Sequence, residues 1–442
     1  MFGESTVMKY ANIIWQNTEL KSGVKAVNYG DCLQFFTIDY ILSKVCDNNE
    51  VVYLDIRDIK KYQGEKLILP LNWSLFWKDY MEGDVLCISE DIIPVFLAVT
   101  IDDSGFKESY MNDSNIAYLK RFEPIGCRDM LTKEILQKYG IQAYLAGCLT
   151  SVLPKREKRI GETVYLVDVP IKLKDYMPKE LLSRAKCYTQ QEYFSKDTSV
   201  EEIRKKVKER YEEYKNCASL VITSRLHVAS PCMAWGIPVI FVKEKIDGRF
   251  EWIDDYLPLY SEKEFEMIDW NPTFVDYEEK KKLITNATIK RLEGIFQNYE
   301  CMEKFEDCYT GTSSMARPSF RETVNDSYMA ALTALENKYS EDDAFEYSIW
   351  GISKASENFY TIVSNKYPHA KLRCVIDTFN NVEFHGILPM RPNAYQWENE
   401  MIFVLPVQAS NAARNLFKEK KIPEDMHVCA GTQFILDEDL QR

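Results

Sequence analysis

The stretch CASLVITSRLHVASPCMAWGIPVIFV, residues 217–242, decides the fold of this chain. CASLVITSR is nearly continuous in apolar residues and predicts a central strand buried on both faces; HVASPCMAWG then predicts a helix and IPVIFV the next strand. Gly236 ends the helix and Pro238 opens the second strand, which is typical of a βαβ unit. Arg225 and His227 fall at the carboxyl end of the first strand, where open α/β sheets bind ligands.

Short β-branched runs alternate with helical segments on either side of this stretch, which predicts an α/β fold with parallel sheets. The predicted strands are VVYLD (51–55), DVLCIS (84–89), IQAYLAG (141–147) and TVYLVDVP (163–170), and the predicted helices are 31–45, 132–140 and 199–217. We expect Rossmann-like domains at 1–160 and 161–310, a polar linker at 311–344, and a small α/β Rossmann-like domain at 345–442. The WGISKAS loop of this last domain is not a G-x-G-x-x-G sequence and gives only weak support for a nucleotide site.

Composition excludes several classes of function. The formal net charge of −13 over 442 residues lacks the Lys/Arg excess that binds phosphate backbones, so no nucleic acid is expected and any anionic ligand must be held by a few placed arginines. The twelve cysteines include no C-x-x-C pair, which predicts reduced thiols and no zinc site. No secretory signal is visible, and the longest apolar run, 92–101, is too short to span a bilayer; we expect a soluble cytoplasmic protein. P-loop, H-E-x-x-H and G-x-S-x-G sequences are absent, which disfavours P-loop phosphoryl transfer and zinc or serine hydrolysis.

The turn in VNYGDCLQFF, residues 27–36, is the first candidate site. Gly30 lets backbone approach a ligand, and the amide groups at the start of the following helix suit an anion. The alternative is that Asn28 and Asp31 only cap the helix.

Arg128 is the second candidate, between a Pro-Ile-Gly-Cys turn and a helix. It could lie at the mouth of a sheet, or it could be a surface arginine paired with Asp129.

Arg225 and His227 are the third candidate. A guanidinium is costly to bury at a strand end without an anionic partner. The other three histidines (His369, His385 and His427) lie in the terminal domain, so an imidazole needed for proton transfer in the first 310 residues must be His227. The alternative is a core histidine whose ring is satisfied by a backbone carbonyl.

Three segments together resemble the polysaccharide pyruvyl transferases. The N-Y-G-D turn (28–31) resembles the N-terminal signature of that family, E-P-I-G-C-R-D…T…L…Y-G-I…A-Y…G-C-L-T (123–150) its middle signature, and R-L-H…A…G-I-P-V-I (225–240) its C-terminal one. The resemblance covers roughly residues 10–300, with the segments in the correct order.

The resemblance implies a GT-B-like pair of Rossmann-like domains facing across a cleft. It also implies transfer of the pyruvyl group of phosphoenolpyruvate to hydroxyls of a glycan or lipid-linked glycan precursor, with ketal formation and phosphate release. Arg225 and, across the cleft, Arg128 would bind the donor anion, the R-L-H match brings in the backbone of Leu226, and protonated His227 would be the acid, its pKa raised by the adjacent phosphate. No metal and no cofactor are expected, since arginines can neutralise the donor, and membrane contact is expected only through the acceptor.

This chain departs from the family pattern at one position and over one region. Phe122 stands where an arginine is expected in close relatives, although Arg121 lies one residue earlier, and the terminal domain is outside the resemblance. Two other functions stay open from the residues: a GT-B glycosyltransferase whose Arg225 and His227 hold the diphosphate of a nucleotide sugar, and a non-catalytic carbohydrate-binding protein.

Overall fold

The computed structural model of this protein describes residues 8–14, 18–19, 23–47, 50–101, 106–158, 161–254, 256–297, 307–308, 317–319 and 328–440. Within these ranges it is a mixed α/β structure with several parallel sheets, which confirms the predicted fold class at that level. The strands are β1 (Lys9–Ile14), β2 (Thr18–Glu19), β3 (Val24–Asn28), β4 (Val52–Asp55), β5 (Leu67–Leu71), β6 (Met81–Glu82), β7 (Val85–Leu86), β8 (Ile92–Phe96), β9 (Ile125–Cys127), β10 (Ala143–Leu145), β11 (Thr163–Val167), β12 (Ala185–Tyr188), β13 (Gln191–Ser195), β14 (Ala218–Thr223), β15 (Val239–Lys243), β16 (Leu259–Ser261), β17 (Glu346–Trp350), β18 (Lys371–Ile376), β19 (Met401–Val404) and β20 (His427–Cys429).

The α-helices lie between these strands and after the last of them. They are α1 (Tyr29–Leu42), α2 (Asp113–Lys120), α3 (Met130–Lys138), α4 (Lys179–Ser183), α5 (Val200–Cys217), α6 (Leu226–Ala234), α7 (Glu251–Asp254), α8 (Glu278–Gln297), α9 (Met329–Glu336), α10 (Lys354–Lys366), α11 (Val407–Glu419) and α12 (Asp437–Leu440). None of the helices in the described ranges combines the length and the apolar character needed to cross a membrane.

The first sheet has the strand order β4-β1-β5-β8, with all pairs parallel, and a parallel bridge between Val99 and Cys127 continues it to β9 and β10. The predicted strand at 84–89 is wrong in extent. Only β7 is extended there, as the antiparallel partner of β6, and the parallel strand is β8. Every residue of β8 is buried, whereas Val85 is exposed, so it is the later apolar run that fills the sheet.

The second sheet has the order β12-β11-β14-β15-β16 and is parallel throughout. The strand predicted from CASLVITSR is confirmed as β14, which lies at the centre of this sheet with Val221 and Ile222 fully buried. Helix α6 begins directly after it and leads to β15, as predicted. From β11 the chain first forms β12 on one side of it, and after β13 and α5 it forms β14 on the other side. The direction in which strands are added therefore reverses between β11 and β14, and ligands bind at such points in open α/β sheets.

A small antiparallel sheet, β13-β3-β2, ties the two halves of the first 310 residues together. Strand β13 follows the second sheet's β12, yet it pairs with β3, with Gln191 opposite Asn28. The Tyr29 amide also donates a hydrogen bond of 2.9 Å to the Gln190 carbonyl. The start of α1 is thereby held against the second sheet, a crossing that the sequence patterns did not predict.

The C-terminal part forms a third parallel sheet with the order β18-β17-β19-β20. Strands and helices alternate in this part, as expected for an α/β domain at 345–442. Helix α9 lies within the predicted linker, 311–344, and buries Ala331 and Leu335 in the same core as Phe359 and Phe403. Residues 309–316 and 320–327 of that region lie outside the described residues.

Candidate active site

A cavity of about 310 Å³ lies where strands of the first and second sheets end. The residues that line it are Asn28, Gly30, Asp31, Trp73, Ser74, Trp77, Thr100, Arg128, Gln190, Ser224, Arg225, Leu226, His227, Lys243, Arg249 and Phe250. All seven residues that the sequence predicts for the site are among them, so the three separate motifs meet at one cavity.

Arg225 is held by one edge of its guanidinium. Its Nε donates a hydrogen bond of 2.6 Å to Asp168 Oδ2, and the Asp168 side chain, directly after β11, is only 1% exposed. Ser224 strengthens the link because its hydroxyl donates to the Asp168 carbonyl at 2.6 Å. No described residue accepts a hydrogen bond from the Nη1 or Nη2 groups of Arg225, which leaves both for an anion.

Asp168 adopts an uncommon backbone conformation that serves this contact. Its φ is +49°, in the left-handed region that aspartate tolerates better than most residues. The other bond to its carboxylate comes from the Gln190 amide, at 3.1 Å. Asp168 therefore orders both the arginine and the chain that leads into β13.

Arg128 follows β9 on the opposite wall and has a different environment. Its Nη1 donates to Gln34 Oε1 at 3.2 Å, while its Nε is buried and finds no hydrogen-bond partner among the described residues. The alternative of a surface pair with Asp129 is wrong, because Asp129 instead accepts hydrogen bonds from the Thr132 amide and the Thr100 hydroxyl. Among the described residues, no carboxylate lies within ion-pair distance of Arg128, although Asp31 lines the same cavity.

The segment that precedes Arg128 is anchored from α8. Arg291 Nη2 donates to the Phe122 and Glu123 carbonyls at 2.9 Å each. Arg121 is exposed and does not line the cavity, so it does not replace the arginine expected at position 122.

His227 lies in the first turn of α6 and touches the start of α1. A Cβ added to Gly30 would lie 2.7 Å from His227 Cβ and 2.8 Å from its Nδ1, so only glycine allows this approach. The sequence assigned Gly30 to the approach of a ligand; the structure adds the imidazole as its neighbour. Asn28 also caps α1, since its Oδ1 accepts from the Gly30 amide at 3.0 Å, so the capping interpretation and a place in the cavity wall both hold.

Burial and neighbouring charges set the protonation state of the His227 imidazole. Its Nε2 is buried and has no hydrogen-bond partner in the part of the chain that the structure describes, which contradicts the alternative of a satisfied core histidine. Burial, and then the charges of Arg128 and Arg249, hold the pKa of His227 well below its ordinary value, so the imidazole is neutral at pH 7. The sequence analysis expected a protonated His227. In the free protein the low pKa disfavours that form, so protonation of His227 requires an anion nearby.

Lys243 and Arg249 are cavity cations that the sequence analysis missed. Both contact buried Asp247: Lys243 Nζ lies 3.5 Å from Oδ2, and Arg249 Nε donates to Oδ1 at 2.9 Å. Burial and the charge of Arg249 lower the pKa of Lys243 to about 8. Burial alone would raise the pKa of Asp247, but the two cations outweigh it and lower the value. Lys243 ends β15, so the rule that singled out Arg225 would also have found it, whereas Arg249 has no such signal.

A polysaccharide pyruvyl transferase model matches residues 28–245. These residues belong to the polysaccharide pyruvyl transferase family. Since that is a family of transferases, the resemblance and the expectation of a transferase are both confirmed. No curated protein gives a significant match. Among solved structures, an uncharacterised protein from Klebsiella pneumoniae subsp. pneumoniae is similar with 14% identity over 52% of this chain and 83% of that one, with a TM-score of 0.30.

The pyruvyl transferase region supplies most of the cavity. Arg249 and Phe250 lie just beyond it, and the third sheet is entirely outside it. On the wall from the first sheet, Trp73 and Trp77 meet edge to face with centroids 5.8 Å apart. The cavity is therefore lined by these two tryptophans as well as by the four cationic side chains. Within the described residues, no group of three or more His, Cys, Asp or Glu side chains could hold a metal ion.

Proposed function

We propose that the protein transfers the pyruvyl group of phosphoenolpyruvate to hydroxyls of a glycan or lipid-linked glycan precursor, forming a ketal and releasing phosphate. The observation that carries the proposal is a small cavity lined by four cationic side chains and by His227, whose Nε2 has no hydrogen-bond partner among the described residues. The donor bears a carboxylate and a phosphate on the same carbon atom and needs several cations close together. Membership of the pyruvyl transferase family supports the same transfer and a polysaccharide acceptor.

The donor anion would be bound chiefly by arginines from opposite walls. Arg225 offers two Nη groups with no acceptor among the described residues, the geometry for a bidentate contact with a carboxylate or phosphate, and Arg128 offers a charge with no ion-pair partner among them. Lys243 and Arg249 add charge that is partly offset by Asp247. Together the four cations favour tight binding of a small, highly charged anion.

His227 would act as the general acid. Its proton goes to the methylene carbon of the donor, and the positive charge that develops on the adjacent carbon is captured by an acceptor hydroxyl. The bond from that carbon to the phosphate oxygen then breaks, and a second hydroxyl closes the ketal. Of the two hydroxyl protons, one restores the imidazolium and one leaves with phosphate, so the step balances.

The low pKa of free His227 fits this role when the donor charge is included. The donor's negative charges oppose those of Arg128 and Arg249, which lower the pKa in the free protein. Donor binding would thus be accompanied by proton uptake at pH 7. The acid would be charged only when there is a substrate to protonate.

The size of the cavity favours this donor over a nucleotide sugar. Its volume of about 310 Å³ lies at the lower end of the roughly 300–1,000 Å³ of small-molecule sites. A nucleotide sugar is several times larger than phosphoenolpyruvate.

We further propose a GT-B-like cleft between domains at 1–160 and 161–310, a separate C-terminal domain at 345–442, and action in the cytosol, with membrane contact only through a lipid-linked acceptor.

The test incubates the purified protein with phosphoenolpyruvate and candidate sugars. We expect phosphate release that requires both substrates, and a ketal-linked pyruvyl group on the sugar by mass spectrometry. His227→Gln is the matched control: it should lower turnover roughly 10²–10⁴-fold, the usual contribution of a general acid, and retain phosphoenolpyruvate binding by calorimetry. A thermal shift with a nucleotide sugar and none with phosphoenolpyruvate would contradict the proposal, as would wild-type turnover in His227→Gln.

A further inference from the structure

A segment near the chain end, residues 432–437, pairs with the loop that follows β11. The Ile171 amide donates to the Gln433 carbonyl at 2.7 Å, and the Ile435 amide donates to the Val169 carbonyl at 2.9 Å. Phe434 forms an antiparallel bridge with Pro170 between them. This loop begins one residue after Asp168, the partner of Arg225, so the C-terminal segment braces the part of the chain that fixes the arginine.

Phe434 also contacts Arg225 itself. The guanidinium carbon of Arg225 lies 5.5 Å from the centroid of the Phe434 ring, within the reach of a cation–π contact. Since Asp168 holds Nε at 2.6 Å, the arginine is restrained both at its edge and by the ring. Its Nη groups are left for the cavity.

The segment is fixed at several further points. Ile435 is 3% exposed and packs in the core of the second sheet with Ile222. The Thr432 hydroxyl donates to Glu244 Oε2 at 2.7 Å, directly after Lys243, and the Cys187 amide donates to Asp437 Oδ1 at 2.9 Å. One short segment thus joins the chain after β11, where Asp168 holds Arg225, to the chain after β15, the strand that ends in Lys243.

We propose that residues 432–437 complete the anion site, and that Phe434 is a positioning residue that holds the Arg225 guanidinium in its binding orientation. An arginine side chain loses much rotamer freedom when it is ordered, so a site that has already restrained it binds an anion more tightly. The C-terminal part thereby acts in donor binding although it lies outside the pyruvyl transferase region. The identity of the anion as phosphoenolpyruvate rests on the proposed function; the positioning of Arg225 does not.

The experiment measures the dissociation constants of phosphoenolpyruvate and of inorganic phosphate by calorimetry with the full chain. Phe434→Leu removes the ring and keeps an apolar side chain, and we expect affinity to fall about three- to tenfold, the range of a partly exposed cation–π contact. Phe434→Tyr keeps the ring and should bind within about twofold of wild type. In turnover, Phe434→Leu should raise the KM for the donor more than it lowers kcat.

A double-mutant cycle with Arg225→Ala separates positioning from a structural effect. If Phe434 acts through Arg225, then Phe434→Leu causes no further loss in the Arg225→Ala background. Phe379→Leu is the matched control, because Phe379 stacks on Tyr193 with centroids 4.2 Å apart and so joins the C-terminal part to β13 at a different place. It should leave anion affinity unchanged.

An equal loss in Phe379→Leu, or the same loss from Phe434→Leu with and without Arg225, would overturn the proposal. Thermal melting of each variant establishes that it is folded. If wild-type protein binds phosphate but turns over no phosphoenolpyruvate, the proposed function fails, while the effect of Phe434→Leu on phosphate binding still decides the positioning role.

Discussion

The second and third sheets have the same kind of architecture, but the polar side chains at their strand ends differ in their hydrogen bonding. Each is parallel, and in each a helix starts directly after a central strand, α6 after β14 and α10 after β17. Both place charged and hydroxyl residues at the carboxyl edge, where ligands bind in open α/β sheets. Position alone therefore predicts two sites.

The third sheet pairs the carboxylate and hydroxyl groups at its strand ends internally, although the indole Nε1 of Trp350, the last residue of β17, is buried without a hydrogen-bond partner among the described residues. Asp377, after β18, accepts hydrogen bonds from the amides of Ile352, Phe379 and Asn380 at 2.7–2.8 Å. Ser353 caps α10, accepting from the Ser356 amide at 3.2 Å. The start of the same loop is closed by packing, since a Cβ on Gly351 would lie 2.3 Å from a carbon of Pro406.

The second sheet leaves equivalent groups without partners. Arg225 has two Nη groups with no acceptor among the described residues, and His227 Nε2 is buried and unpaired. Buried polar groups are normally hydrogen-bonded, so a guanidinium and an imidazole without partners that line the same cavity fit the place of a missing ligand. The comparison teaches that unpaired guanidinium and imidazole groups, and not the strand end itself, distinguish the binding edge from the structural one.

The largest effect that tests this difference is expected from Gly30→Ala. The added methyl would push the His227 ring from its place beside α1, while alanine within a helix is otherwise favourable. A misplacement of about 1 Å can cost as much as 10²-fold, so we expect kcat to fall about 10- to 100-fold. Donor affinity should change much less, because the arginines are untouched. Steady-state kinetics and calorimetry measure the two quantities.

Gly294→Ala is the control for this substitution, since a Cβ on that α8 residue meets nothing within 4 Å. It should leave activity unchanged. Equal activities of Gly30→Ala and Gly294→Ala would show that the contact between Gly30 and His227 does not position the acid.

The sequence predicted the central elements of the fold because burial and chemistry act on neighbouring residues there. The run before Arg225 had to be a buried strand, and the R-L-H sequence placed His227 at its end. The seven candidate residues come from three motifs and meet at one cavity because each motif follows a strand.

What the sequence did not predict depends on long-range pairing. Strand β13 returns to β3, which no local periodicity encodes, and that pairing brings Gly30 to His227. Phe434 reaches Arg225 from more than 200 residues further along the chain. Arg249 is a single cation in a loop, without a pattern that distinguishes it from surface arginines.

A smaller effect is expected from the ionisation of Lys243. Its pKa of about 8 means that the ammonium loses its proton as the pH rises through 8, which makes the cavity less positive. For the wild type we expect kcat/KM for the donor to fall about three- to tenfold between pH 7 and pH 9, because this ratio reports ionisations of the free protein. Lys243→Arg keeps its charge over that range and should remove the decline. An unchanged alkaline decline in Lys243→Arg would assign it to another group.

The smallest effect on activity is expected from Ser353→Ala, at the carboxyl edge of the third sheet, where the Ser353 hydroxyl is hydrogen-bonded within the protein. Loss of this N-cap of α10 should lower the free energy of unfolding by about 1 kcal/mol, measured by urea denaturation. The kcat/KM for the donor should stay within about twofold of wild type, because Ser353 contacts no residue of the cavity wall. A large loss of activity at unchanged stability would mean that the third sheet also binds a ligand needed for turnover. The contrast between its satisfied strand ends and the orphaned groups around His227 would then fail as a criterion for locating sites in this protein.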